Sequence, residues 1–146
     1  MKIRPVRLLP VPLAVVAIGA GPCGGGQKAD TGDFKGTEKD VAQAVYDFRD
    51  AVAKRDESKV CDTYFTKDLA EQVSAKGKEA GRGSSCADVV KDPIADIDAT
   101  DIKVKDVAVT GDTAVVTVTT NLTKGPDASD KLTLKNERGW RISQLP

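Results

Sequence analysis

The apolar positions of this chain change period along its length. Val41, Ala44, Val45, Phe48, Ala51 and Val52 recur at helical spacing, which predicts an amphipathic helix of about 18 residues ending near Arg55, with one buried stripe. Thr37, with Asp40 three residues on, has the spacing of a capping box at its start. Tyr46 and Asp47 lie off the stripe, which places both on a partly solvated surface. Ser58 to Phe65 reads as a short second helix carrying Cys61, Tyr64 and Phe65, and Thr66 is placed to cap a third that runs to about Lys76. The stretch GKEAGRGSS from Gly77 to Ser85 reads as an exposed loop. Ser85 then caps a last short helix from Cys86 to about Lys91, which Pro93 discourages from continuing.

Beyond Pro93 the period falls to two. Ile102 and Val104, then Val107 and Val109, alternate in registers that differ by one residue, which predicts a bulge near Asp106. Gly111 and Asp112 make a turn into TAVVTVTTNL, residues 113–122, where valines on both faces from Val115 to Val118 predict a central strand covered on both sides. KLTLKNE follows with Leu132 and Leu134 on one face. Glu137, Arg138 and Gly139 then turn the chain into WRISQL, with Trp140 and Ile142 sharing a face and Leu145 on the other. Helices first and a four-stranded antiparallel meander afterwards make an α+β domain.

This order of elements resembles the nuclear transport factor 2-like superfamily, an NTF2-like cone in which N-terminal helices pack on a curved four-stranded antiparallel sheet. The chain is similar in particular to small secreted or lipid-anchored members of actinobacterial type. The likeness is carried by AVYDFRDAVAKRDESKVCDTYF, a second cysteine at Cys86, VTGDTAVVTV and GWRISQL, and it covers roughly residues 38–146. It implies a fold able to enclose a pocket, used in some members by isomerases and cyclases that place a carboxylate, often with Tyr or His, inside the cone.

The N-terminus decides where such a domain works. Lys2, Arg4 and Arg7 precede an apolar run from Leu8 to Ala20, and the small residues Gly19, Ala20 and Gly21 follow, the layout of an export signal over residues 1–22. The run is shorter than the roughly 20 residues that cross a bilayer. Ala20 to Cys23 (AGPC), followed by Gly24 to Gly26, resembles a bacterial lipobox, in which Cys23 receives a diacylglycerol and the signal is cut before it. Ala20 and Pro22 stand where such boxes usually carry Leu and a small residue. Ordinary secretion with cleavage near Ala20 is the alternative and would leave Cys23 a stray thiol in an oxidising compartment. Lipidation of Cys23 would anchor the protein to the cell membrane from the extracytoplasmic side, because two or three acyl chains bind far more firmly than one. Residues 23–36 then read as a flexible, lipidated tether and 37–146 as the domain, with Phe34 marking where the chain docks.

Export also makes a Cys61–Cys86 disulfide chemically permissible, and the resemblance fits it as a bridge between the second helix and the last. It would close a loop of about 25 residues. A metal pair or a redox dithiol has little behind it, since the chain has no histidine and no C-x-x-C.

Charge removes other function classes. The full chain has 22 basic and 22 acidic residues; loss of Lys2, Arg4 and Arg7 with the signal leaves 19 against 22, a formal charge of −3. A mildly acidic domain without basic runs interleaved with aromatics gives no grip on nucleic acid. Without histidine no Ser-His-Asp or Cys-His arrangement can be built. Most acidic residues stand beside Lys or in turns, as in VKDP and LKNERG, where solvation explains them. The sequon Asn121-Leu122-Thr123 is explained by a strand end.

No catalytic residue, metal ligand or cofactor is therefore assigned. The reading is a non-catalytic module, not an enzyme, held on the membrane and binding a small ligand or an envelope protein. Two alternatives stand beside it: an envelope isomerase or cyclase using a carboxylate in the cone, and a domain that dimerises or docks through its sheet.

Overall fold

A computed structural model describes residues 30–96, 102–120 and 128–146. The signal segment, Cys23 with the first half of the tether, and the Asn121 sequon lie outside these residues. Among them are four helices, α1 (Gly36–Ala53), α2 (Glu57–Lys59, continued by a π-turn over Val60–Tyr64), α3 (Lys67–Glu79) and α4 (Cys86–Asp96). Four strands follow, β1 (Ile102–Thr110), β2 (Thr113–Thr120), β3 (Ala128–Asn136) and β4 (Trp140–Gln144). They form an open antiparallel sheet in the order β1-β2-β3-β4, so the chain is α+β with its helices first. No helix among the described residues is long and apolar enough to cross a membrane.

The sheet follows the period-two pattern closely. Val104 pairs with Val118, Val107 with Val116, Val116 with Leu132, and Leu134 with both Ala114 and Ile142. All of these are buried, so one ladder of inward side chains crosses the sheet. The register of β1 shifts between Val104 and Asp106, as the slipped alternation predicts; the extra residue lets Val104 and Val107 face the same way. Coverage on both faces of β2 does not hold. Ala114, Val116 and Val118 are buried, whereas Val115 is 38% exposed, because its high valine content reflects β-propensity on an open face.

In α1 the buried face is turned by one position from the expected stripe. Val41, Ala42, Val45, Tyr46, Arg49 and Val52 are buried, while Ala44 and Phe48 are partly buried at its margin. Tyr46 goes inside because its hydroxyl is satisfied there: it donates to the Asp30 carbonyl and accepts from the Val104 N–H, each at 3.3 Å. The helix begins at Gly36 behind Lys35, which makes no side-chain cap, so the Thr37–Asp40 capping box is not formed.

α1 ends in a reverse turn closed by two bonds, Arg55 N–H to the Val52 carbonyl and Asp56 N–H to that of Ala51, both 3.0 Å, the pairing of a Schellman motif. Arg55 occupies its left-handed position with φ of 55°. Arg55→Gly is expected to stabilise the domain by up to about 1 kcal/mol, since glycine takes this conformation without a Cβ clash. A thermal melt showing an unchanged or lowered midpoint would contradict this.

Thr66 caps α3 as expected, its hydroxyl accepting from the Leu69 N–H at 3.3 Å, and its own N–H donates to the Ile142 carbonyl at 2.8 Å. Arg141 adds bonds to the carbonyls of Asp62 and Phe65, so side chain and backbone tie α2 to β4. α3 runs on to Glu79, which removes Gly77 from the expected loop. Gly77 is buried against α4, where a Cβ would lie 2.0 Å from Val89 Cγ2.

Ser85 caps α4 by accepting from the Asp88 N–H at 3.2 Å, and the Asp88 carboxylate accepts in return from the N–H groups of Ser85 and Ser84. Hydrogen bonding from Ser85, then Ser84, holds this carboxyl below the ordinary range. α4 continues through Pro93 to Asp96 instead of stopping near Lys91. Proline there forfeits one helical bond, at about 3 kcal/mol. Burial of Ile94 immediately after it is worth about 1.5–3 kcal/mol and offsets much of that cost.

Cys61 and Cys86 are joined, with a Cα separation of 6.1 Å. The bridge ties the π-turn after α2 to the first residue of α4.

Candidate functional site

The turn after α1 opens a cleft of about 310 Å³ between that helix and α2, lined by Asp47, Asp50, Ala51, Lys54, Asp56, Lys59 and Tyr64. Asp47, Asp50, Ala51 and Lys54 project along one stripe of α1, at i, i+3, i+4 and i+7. The Schellman turn then reverses the chain and brings Asp56 back towards them. Asp56 caps α2, its carboxylate accepting from the Lys59 N–H at 3.0 Å. The π-turn, closed by the Phe65 N–H on the Val60 carbonyl at 3.0 Å, carries Tyr64 to the far wall.

An aromatic group supports that wall. The Tyr64 ring meets Phe48 edge-on at 6.2 Å, and Phe48 stacks at a tilt on Phe65 at 6.1 Å. Asp50 faces two ways. It lines the cleft and also accepts from Arg49 at 2.8 Å, while the buried guanidinium lies 4.9 Å from the centre of the Tyr46 ring. Asp50 is thereby held in place by a group in the core, a charge-assisted contact stronger than a neutral one. Asp47 is positioned at the surface, accepting from the Gln43 amide at 2.8 Å.

Tyr64 is the group whose chemistry the cleft changes. Its partial burial, followed by the negative charges of Asp47, Asp50 and Asp56, pushes its titration above the ordinary value of 10.0. At neutral pH it is therefore a neutral phenol, able both to donate and to accept a hydrogen bond. A raised folded-state value means that the native protein holds the phenolic proton more tightly than the unfolded chain. Folding stability should accordingly fall as pH climbs above 10 through the folded value. Asp47→Asn should bring the phenol back towards 10; absorbance titration of the phenolate would check it, and an unmoved or rising midpoint would contradict it.

The arrangement offers three carboxylates, two ammonium groups and a phenol, all able to hydrogen-bond a polar guest. Among the described residues no group of His, Cys, Asp and Glu is placed to hold a metal ion. No family model, curated protein or solved structure matches the chain.

Of the residues singled out in the sequence, Cys61 and Cys86 are brought together and Cys23 lies outside the described residues. The cleft itself was missed. Its signal was present in the stripe Asp47, Asp50, Lys54, which reads as an ordinary solvated face until the Schellman turn folds Asp56 and Lys59 back against it. Among the described residues, those lining the cleft all come from α1, α2 and the turns beside them, so it lies apart from the sheet surface.

Proposed function

We propose that this chain is an exported, membrane-anchored lipoprotein whose folded part is a non-catalytic binding domain of NTF2-like type. Support for the fold identity comes from the order of helices followed by the β1-β2-β3-β4 meander. Support for an oxidising location comes from the joined Cys61 and Cys86, a pairing rarely kept in a reducing cytoplasm. Cys23, behind the export-type segment, is the attachment point for lipid.

The observation that carries the binding reading is the solvation of the cleft's charges. No described Asp or Glu falls among the buried residues. Isomerases and cyclases need a carboxylate desolvated inside a cavity, where burial tunes it for proton transfer. Asp47, Asp50 and Asp56 instead stand where they can exchange water for a guest's polar groups, with Lys54, Lys59 and the Tyr64 hydroxyl as donors.

Intact-mass measurement of the protein taken from its own membranes tests the location. The expected species begins at Cys23, carries a diacylglycerol-type adduct and is two hydrogens light from the Cys61–Cys86 bond. A soluble chain beginning upstream of an unmodified Cys23 would overturn the anchor. For the binding site, amide NMR of the domain titrated with a small-molecule extract of the envelope should show shifts centred on Asp47, Asp50, Lys59 and Tyr64. Shifts centred elsewhere would remove the cleft from the reading.

A further inference from the structure

The segment that leads from Cys23 into the domain is pinned well before α1. The Asp30 carbonyl accepts from the Tyr46 hydroxyl, Thr31 is buried, and the Phe34 N–H closes a turn on the Thr31 carbonyl at 3.1 Å while the Phe34 ring packs on the core. Tyr46 is itself almost fully buried and is held from the other side by the Val104 N–H. One phenol thus joins the incoming chain, the middle of α1 and the beginning of β1.

This shortens the link to Cys23. Asp30 is seven residues beyond Cys23, and covalent geometry limits that stretch to about 25 Å. A link running to Gly36 would reach nearly twice as far. The attachment point also lies at one end of the sheet. Val104 is close to the start of β1, whereas the β1–β2 turn at Gly111–Asp112 and the β3–β4 turn at Glu137–Gly139 sit together at the opposite end, joined by the Asn136 N–H on the Asp112 carbonyl at 2.7 Å. At about 3.3 Å per residue along β1, those turns are roughly 20 Å from Val104.

We propose that Tyr46 is a clamp that orients the domain on the membrane, holding the side formed by Asp30 and the start of β1 against the phospholipid headgroups and directing the two hairpin turns away from them. The proposal rests on the lipid at Cys23. Its partner is the bilayer surface: a short link attached at one end of a sheet leaves that end nearest the lipid, while a long one would let the domain tumble. Nearby charges are of both signs, Lys103 and Lys105 with Asp30 and Asp106, so the orientation comes from the link and not from a basic patch.

The test uses the full lipidated chain in phospholipid vesicles carrying a quencher on the headgroups. A small fluorescent amino acid is placed at Lys103 in one variant and at Asp112 in another, and the mass of each preparation establishes the adduct on Cys23. Quenching is expected to be several-fold stronger at position 103 than at 112. A long Gly/Ser insertion after Gly26, which leaves the domain untouched, should bring the two positions to parity. Tyr46→Phe, which frees Asp30 while Thr31 and Phe34 stay seated, should lower the ratio of quenching at 103 to that at 112, and Tyr46→Phe with Phe34→Ala should bring it to parity while helix and strand content, read by circular dichroism, stays unchanged; a ratio unmoved in both variants would overturn the clamp. Equal quenching in the lipidated chain without the insertion would overturn the orientation and leave the anchor standing. Absence of the adduct would overturn both.

Discussion

A chain in which Cys61 and Cys86 are both alanine is expected to lose about 3 to 4 kcal/mol of folding stability. The bridge spans 25 residues in sequence, and freeing a loop of that length returns conformational entropy to the unfolded chain. The loss is large here because the core is lean. Apart from Tyr46 and Phe65, the buried apolar side chains among the described residues are Val, Ala, Leu, Ile and Cys, and a domain of this size has only about 5–15 kcal/mol to lose. Alanine is the better replacement than serine, since both positions are buried and a hydroxyl there would need a partner. Denaturant unfolding of the oxidised parent and the double variant measures the difference directly. A change below about 1 kcal/mol would mean that the link adds little to a structure already fixed by its packing.

Gly77→Ala is expected to destabilise by up to about 2 kcal/mol, although alanine is the better helix former. Replacing glycine in a helix normally gains about 1 kcal/mol. At this position the new Cβ would fall 2.0 Å from Val89 Cγ2 and 3.2 Å from Val89 Cβ. Valine in a helix has one strongly preferred rotamer, so the side chain cannot swing aside cheaply. α4 cannot easily slide away either, because Cys86, one turn earlier, is bonded to Cys61. Overpacking of this kind typically costs 1–3 kcal/mol, about enough to outweigh the propensity gain. Val89→Ala removes the clashing methyl groups, so Gly77→Ala introduced on that background should be neutral or stabilising. The double-mutant cycle isolates the contact; additive effects would show that Gly77 is not needed for the approach of α3 to α4.

The fold was legible where burial and period agree. The slipped alternation of Ile102, Val104, Val107 and Val109 placed the bulge in β1, and Leu132 with Leu134 placed the inner face of β3. Two of the three expected caps were equally readable, since Thr66 and Ser85 act within three residues of themselves, whereas the Thr37–Asp40 box is lost because α1 begins at Gly36. Reading failed where a residue's position depends on a partner far along the chain. Tyr46 looked like a surface residue on helical spacing alone; its burial depends on Asp30 and on Val104, 58 residues away. Gly77 looked like a loop glycine because nothing local shows that Val89 will press against it. Pro93 looked like a stop because the burial of Ile94 is a tertiary gain.

The candidate site divides in the same way. Asp56 falls between the first two predicted helices with no cap role assigned, and from helical spacing only Asp47, Asp50 and Lys54 could be put on one stripe of α1. Their grouping into a cleft could not, because that needs the left-handed turn at Arg55 and the π-turn before Phe65, neither of which has a glycine to announce it.

By itself the sequence determined the order of helices and strands, the inward faces of β1 and β3, the caps of α3 and α4 and the pair of cysteines available for bonding, all set by short-range periodicity and local hydrogen bonding. Tertiary structure alone decided the rotation of α1, the buried Tyr46 that joins the incoming chain to α1 and β1, the close contact of Gly77 with Val89 and the cleft around Tyr64. Each of these joins groups distant along the chain, and their partners become neighbours only once the core has formed.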